Sequence, residues 1–167
     1  MALLAKVLTV STSVAAGRAD DRGGAAVESA LAEAGFEVIE RGVVADGQDG
    51  VEAALRGLVA DFHGVVVTTG GTGFSPTDTT PEATERVIER PAPGLAEAMR
   101  LTSPLGRLSR ATAGTAGTAL ILNTPGSPSG AAEYLAAIID VIPHALTLLG
   151  GENPHPHPAA SSHGEHH

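Results

Sequence analysis

The sequence contains no cysteine, which excludes disulfide staples and thiolate zinc sites. Aromatic residues make up only 2% of it, so the core must be built from Ala, Val, Leu and Ile. Positive charge is scarce as well: 10 Lys and Arg stand against 19 Asp and Glu, a formal net charge of -9. That balance argues against non-specific nucleic-acid binding. It also means that an anionic ligand must be held by local groups or by a metal. No apolar run is long enough to span a membrane, and the opening residues Met1 to Lys6 lack a signal-peptide pattern. The expectation is a cytoplasmic protein with neither nucleic acid nor membrane among its partners.

What remains is a chain of 167 residues, 43% of them hydrophobic, enough for one folded domain over residues 1–150. Residues 151–167 form a tail rich in Pro, His, Ser and Gly that cannot bury enough apolar surface to fold. Its histidines, His155, His157, His163, His166 and His167, could bind a transition metal, although disorder without a ligand is the plainer reading. Within the domain, His63 and His144 have no partner at ligand spacing and read as packing or surface residues.

The pattern alternates between strand and helix. Leu3 to Val10 reads as a first strand, apolar on both faces. A polar loop with Ser11-Thr12-Ser13 follows, then a helix from Asp20 or Asp21 to Ala34, ended by Gly35. Phe36 to Val44 is a second strand, Val51 to Ala60 a helix, and Val65 to Thr68 a third strand. Connections of this length build a parallel sheet. Right-handed crossovers then bring the loops at Ser11, Asp46 and Gly70 to one rim, beyond the carboxyl ends of the strands, where open α/β sheets bind ligands. Further on, Pro81 to Glu89 and Gly94 to Leu101 read as helices, with a turn or two at Pro104 to Arg110. Ala111 to Thr115 and Thr118 to Leu122 read as strands of a hairpin. Ala131 to Leu149 is one long helix or two, bent near Pro143.

The stretch from Thr68 to Glu82 carries the densest signal. Thr69-Gly70-Gly71-Thr72-Gly73 follows a buried strand and precedes a helix start at Thr80-Pro81, with Thr80 the candidate N-cap. Glycines let backbone N–H groups approach an anion, and the helix start adds partial positive charge. Asp78 would repel a bare phosphate, so its presence suggests a metal between the two. The alternative is a glycine-rich connection with no ligand. The spacing fits neither a Walker loop nor the dinucleotide fingerprint. Asn123-Thr124-Pro125-Gly126-Ser127-Pro128 repeats the grammar, with Ser127 as N-cap candidate. It is either a second phosphate-sized site or simply a well-capped helix start. Asp46, in Ala45-Asp46-Gly47, is by itself good turn chemistry.

Thr69-Gly70-Gly71-Thr72-Gly73 with Asp78 and Thr80-Pro81-Glu82-Ala83 resembles the signature of the MogA/MoaB molybdopterin-binding family. Pro125-Gly126-Ser127-Pro128 resembles its second signature, and Leu108-Ser109-Arg110 a third, weaker one. The likeness covers about residues 4 to 150. It implies a three-layer α/β/α sandwich with a mostly parallel sheet, usually a trimer, and a role in molybdenum-cofactor biosynthesis alongside other proteins of that pathway. The implied reaction is magnesium-dependent transfer of AMP from ATP to molybdopterin, releasing pyrophosphate. A non-catalytic molybdopterin- or nucleotide-binding protein, or a purely structural subunit, are the rival readings. By residue matching, Asp46 and Asp78 fall on the acidic positions tied to activity, assigned to magnesium. Gly70, Gly71, Thr72 and Gly73 fall on the phosphate and pterin loop and Pro125, Gly126 and Ser127 on the second loop, with Ser11, Thr69 and Arg110 as further candidates for binding substrate and phosphate. Two departures stand out. Thr77 occupies a position where many relatives have Arg, and Thr12 one where many have Asp. Arg110 or Arg18 is the expected compensating cation.

Overall fold

The computed structural model describes residues 2–152, so the expected tail and its histidines lie outside the described residues apart from positions 151 and 152. Among the described residues six strands and seven helices follow in the order β1 (Leu3–Val10), α1 (Thr12–Ala15), α2 (Arg22–Glu33), β2 (Phe36–Val44), α3 (Gln48–Val59), β3 (Gly64–Thr69), α4 (Thr80–Val87), β4 (Arg90–Pro91), α5 (Pro93–Arg100), β5 (Ala113–Ala116), β6 (Ala119–Thr124), α6 (Pro128–Ala136) and α7 (Ile142–Leu149). Short 3-10 turns lie at Pro104–Leu108 and Ile139–Val141. The strands form one sheet in the order β2-β1-β3-β6-β5-β4. The first four of that order run parallel, and β5 is antiparallel to both β6 and β4.

Successive strand side chains point to opposite faces, and both faces are apolar here. Ala5, Val7, Val65, Val67, Leu120 and Leu122 pack against α2, α5, α6 and α7. Leu8, Val10, Val66, Ala119 and Ile121 pack against α3 and α4 on the other side. The result is the expected three-layer α/β/α arrangement with a mostly parallel sheet.

Several boundaries differ from the sequence reading. The loop after β1 contains a short helix, α1, whose N-cap Ser11 accepts a hydrogen bond from the Val14 amide at 3.3 Å. Thr80 is not the N-cap of α4: the helix begins at Thr80, and the cap position falls on Thr79, which makes no side-chain cap. The reason is tertiary, because the Thr80 hydroxyl is drawn inward and donates to the Gly70 carbonyl at 3.0 Å. After α4 the chain turns extended at Ile88, and Arg90–Pro91 pairs with Thr115 and Gly114 as an edge strand. Proline is tolerated there because an edge strand need not donate on its outer side. The last helical stretch is broken before Pro143 rather than at it, with a 48° bend between the two pieces. No single helix among the described residues is long and apolar enough to cross a membrane.

The parallel strands end in buried polar residues instead of apolar ones. Thr68, Thr69, Asn123 and Thr124 are all at most 1% exposed. Asn123 Nδ2 donates to Thr68 Oγ1 and Thr84 Oγ1, both at 2.9 Å, and its Oδ1 accepts from the Thr112 amide at 3.2 Å. Thr84 passes the chain on to the Thr80 carbonyl at 2.7 Å. Thr124 Oγ1 donates to the Thr68 carbonyl at 2.8 Å, and Thr69 Oγ1 to the Pro125 carbonyl, also at 2.8 Å. A buried network of this kind stabilises only when every member has a partner.

The start of α2 is fixed in a similar way. Asp21, its N-cap, accepts from the Gly24 amide at 2.9 Å, from Thr9 Oγ1 of β1 at 2.8 Å, and from Arg41 Nη2 of β2 at 2.8 Å. Burial alone would raise the Asp21 carboxyl. The hydrogen bonds from Arg41, Thr9 and Gly24 more than offset it and hold the group below its ordinary value.

Asn123→Ala leaves the Thr68 hydroxyl and the Thr112 amide without their partner, while Thr84 keeps its bond to the Thr80 carbonyl, and is expected to cost about 2–4 kcal/mol in urea unfolding; a loss under about 1 kcal/mol would show that the network is slack. The lowered Asp21 carboxyl stabilises the fold above its unfolded-state pKa of about 3.9, and that contribution fades as pH falls through the folded-state value. The stability gap between wild type and Asp21→Asn should therefore be present at neutral pH and close in acid. A gap of constant size would refute the assignment.

Candidate active site

The chain leaves β1 toward β2 and leaves β3 toward the opposite side of the sheet, so a switch point lies between these adjacent strands. Two clefts open at this rim. One, of about 410 Å³, is bordered by Ser11, Asp46, Thr69 and Gly70. The other, of about 610 Å³, is bordered by Thr72, Gly73, Leu105, Leu108, Ser127 and Tyr134. They meet at Gly71, Asp78 and Gly126, which line both.

The glycine turn between the clefts has a consistent polarity. Its four carbonyls are all held by the protein. Gly70 accepts from Thr80 Oγ1 at 3.0 Å, Gly71 from the Thr80 amide at 3.1 Å, Thr72 from the Arg110 amide at 2.8 Å, and Gly73 from Arg110 Nε at 2.9 Å. The amides of Gly71, Thr72 and Gly73 donate to no acceptor among the described residues. A turn whose acceptors are satisfied and whose donors are not has the polarity that an anion cradle requires. Glycine is required at its start. Gly70 and Gly71 have φ of 101° and 70°, and a Cβ on Gly70 would collide with the Val10 carbonyl.

Asp46 and Asp78 approach this turn from either side. Asp46 Oδ1 lies 3.4 Å from where a Gly71 Cβ would stand, and Asp78 Oδ2 lies 2.9 Å from the corresponding point at Gly73. Asp46 Oδ2 accepts from the amide and hydroxyl of Thr12 at 3.1 and 3.0 Å, so Thr12 orients the carboxylate. Asp78 Oδ2 accepts from the Ser75 amide at 3.0 Å. The Oδ1 atoms of both receive no hydrogen bond from the described residues. No group of three or more His, Cys, Asp or Glu able to hold a metal occurs among the described residues. Two oxygen donors facing a phosphate-sized cradle suit a magnesium ion that keeps waters and shares substrate oxygens, and do not suit a fully protein-ligated transition metal.

Arg110, expected as a compensating cation, spends much of its capacity on the loop itself. Besides Gly73, it donates through Nη2 to the Asp78 carbonyl at 2.7 Å and through Nη1 to Glu82. Glu82, half-buried, would be raised by its burial, but the Arg110 hydrogen bond brings it below its ordinary value. Arg110 thus clamps both ends of the loop between Gly73 and Asp78. Thr77 is exposed, shares a hydrogen bond with Ser75 at 3.1 Å, and lines neither cleft. Thr69 turns its proton to the Pro125 carbonyl and thereby joins the two glycine-bearing loops. Ser127 caps α6, accepting from the Gly130 amide at 3.2 Å. His63 contacts the Leu146 carbonyl at 2.7 Å, away from the rim, in the packing role expected for it. Thr12, Thr80 and Glu82 carry parts of this site that the sequence reading did not assign to it, although Thr80 and Glu82 stand inside the quoted signature and Thr12 is one of its two departures.

Residues 6–144 match the family described as "Probable molybdopterin binding domain". The molybdopterin adenylyltransferase of Helicobacter pylori is 38% identical over 152 residues, spanning 87% of this chain and 86% of that one. The crystal structure of the molybdopterin biosynthesis enzyme MoaB from Thermus thermophilus is 44% identical with a TM-score of 0.83, covering 90% of this chain and 98% of that chain. The molybdopterin biosynthesis Mog protein from Mycobacterium ulcerans is 41% identical with a TM-score of 0.82, covering 89% and 99%. Since fold, loop order and sequence likeness agree along nearly the whole described chain, the protein belongs to the MogA/MoaB family of molybdopterin-binding domains.

Proposed function

We propose that this protein is a molybdopterin adenylyltransferase of molybdenum-cofactor biosynthesis, moving AMP from ATP to molybdopterin. The observation that carries the reading is the pair of clefts meeting at Gly71, Asp78 and Gly126. A transferase needs two substrates to touch at one point, and a plain binding protein needs only one hollow. The 38% identity to the Helicobacter pylori adenylyltransferase supports it.

The reaction joins a terminal phosphate oxygen of molybdopterin to the α-phosphorus of ATP, while the bond to the β-phosphate breaks and pyrophosphate leaves. A phosphate monoester has a second pKa near ~6 and is already largely dianionic at neutral pH, so no general base is required. The clefts agree with this, since no histidine or lysine among the described residues lines either one. The protein's task is to hold two polyanions together and in line. The free amides of Gly71, Thr72 and Gly73 receive phosphate oxygens without reorganising, because their carbonyls are already anchored. Asp46 and Asp78 would hold magnesium through their Oδ1 atoms. The ion would supply charge neutralisation between the two reactants. Ser11 and Ser127 border the two clefts, one each, and add hydroxyl donors.

ATP as substrate fits a cytoplasmic setting. A homotrimer, and contacts with other molybdenum-cofactor proteins, belong to the same reading. The exposed apolar side chains Leu101, Leu105, Leu108 and Phe74 offer surface for such contacts.

Pyrophosphate release with molybdopterin, ATP and magnesium tests the reading. Asp78→Asn keeps an acceptor for the Ser75 amide but loses a charge. Turnover should fall at least about a hundredfold, more than an outer-shell partner costs, with the melting temperature little changed. Chelating the divalent ion from wild type should abolish release. Tight molybdopterin binding without any release would select the non-catalytic binder instead.

A further inference from the structure

Most of the chain's positive charges are committed. Of its 10 Lys and Arg residues, Lys6, Arg41, Arg56, Arg86, Arg100, Arg107 and Arg110 each donate to a described acceptor. The Arg22 guanidinium does not, and Arg22 lines the smaller cleft together with Asp46, Gly70 and Gly71. It also lines an adjoining outer hollow of about 450 Å³ with Arg18, whose guanidinium likewise donates to no described acceptor. Asp20 lines both hollows, so the outer one carries two cations against one carboxylate.

Local stability does not account for Arg22. It is the first residue of α2, where a cation opposes the helix dipole. The positions three and four residues on, Ala25 and Ala26, offer no carboxylate to pair with. Its neighbour Gly23 explains how it reaches the site. A Cβ at Gly23 would stand 2.9 Å from Thr69 Oγ1 and 3.0 Å from the Gly126 carbonyl. The bare backbone there lets the start of α2 lie directly against both glycine-bearing loops, with Arg22 at the cleft.

We infer that Arg22, continued outward by Arg18, receives the polyphosphate chain of the nucleoside triphosphate. The inference rests on the transferase reading for the identity of that ligand. A phosphate monoester needs one cradle, which the glycine turn provides. A triphosphate needs positive charge spread along a line, and the two arginines lead from the cradle into the outer hollow. Arg22 also supplies the cation that Thr77 does not.

The test uses the full chain and two probes, magnesium tripolyphosphate and molybdopterin, with binding read by calorimetry and turnover by pyrophosphate release. Arg22 is exposed and unpaired, so its variants should keep the wild-type melting temperature. Arg22→Gln should weaken tripolyphosphate binding about tenfold to a hundredfold and raise the KM for ATP similarly, with kcat changed less. Arg22→Lys should recover most of the loss, and the difference should shrink as salt is added. Molybdopterin affinity should not move. Unchanged tripolyphosphate affinity in Arg22→Gln, a loss confined to molybdopterin, or no tripolyphosphate binding by wild type would each overturn the inference. If wild type releases no pyrophosphate yet binds tripolyphosphate through Arg22, the transferase reading fails and with it the nucleotide's identity, while the role of Arg22 in polyphosphate binding stands.

Discussion

The site depends on one asymmetry: the carbonyls of the glycine turn are tied inward and its amides are not. Thr80 takes the carbonyls of Gly70 and Gly71, and Arg110 takes those of Thr72 and Gly73. A peptide group cannot rotate one end without the other, so anchoring four oxygens also aims the nitrogens that follow. The donors are set before any ligand arrives, and a preorganised dipole costs nothing to orient at the moment of reaction. Arg110 serves as a brace more than as a charge, and Glu82 completes its salt bridge at the base of α4.

That brace is mounted on polar strand ends. Asn123, Thr68, Thr69 and Thr124 occupy positions where the strand pattern further back is Val, Leu and Ile. Hydroxyls and an amide contribute less apolar burial there, but they join β3, β6, α4 and both loops by directional bonds. Apolar packing alone is non-directional and would leave the loops free to shift. The layers of the sandwich supply the stability, and this thin polar seam supplies the alignment.

Charge is arranged with similar restraint. A protein of net charge -9 that handles polyanions cannot use a general positive field. In the proposed site the attraction falls to a few amides, to a divalent ion that two carboxylates would hold, and to Arg22 and Arg18 at the outer end. Like-charged ligands are thus drawn to one line of contacts, while other arginines are held in ion pairs or on carbonyls elsewhere.

Much of this was open to a reader of the residues alone. β1 follows from an apolar run and β2 from alternation, the helix start at Asp20 or Asp21 and the cap at Ser127 from short polar side chains before helical spacing, and the glycine turn from Gly70-Gly71-Thr72-Gly73. These are local properties, decided by a residue and its near neighbours in the chain. Other features were decided only when distant segments met. The edge strand at Arg90–Pro91 exists because Thr115 and Gly114 lie beside it. Thr80 leaves the capping position because the Gly70 carbonyl, ten residues earlier, needs its proton more. Arg110 became a brace, and Arg22 a free cation at the cleft, through contacts made or absent across the fold. Backbone preference is written residue by residue, whereas the partner of a hydrogen bond or a charge is chosen by whatever the folded chain brings within about 3 Å.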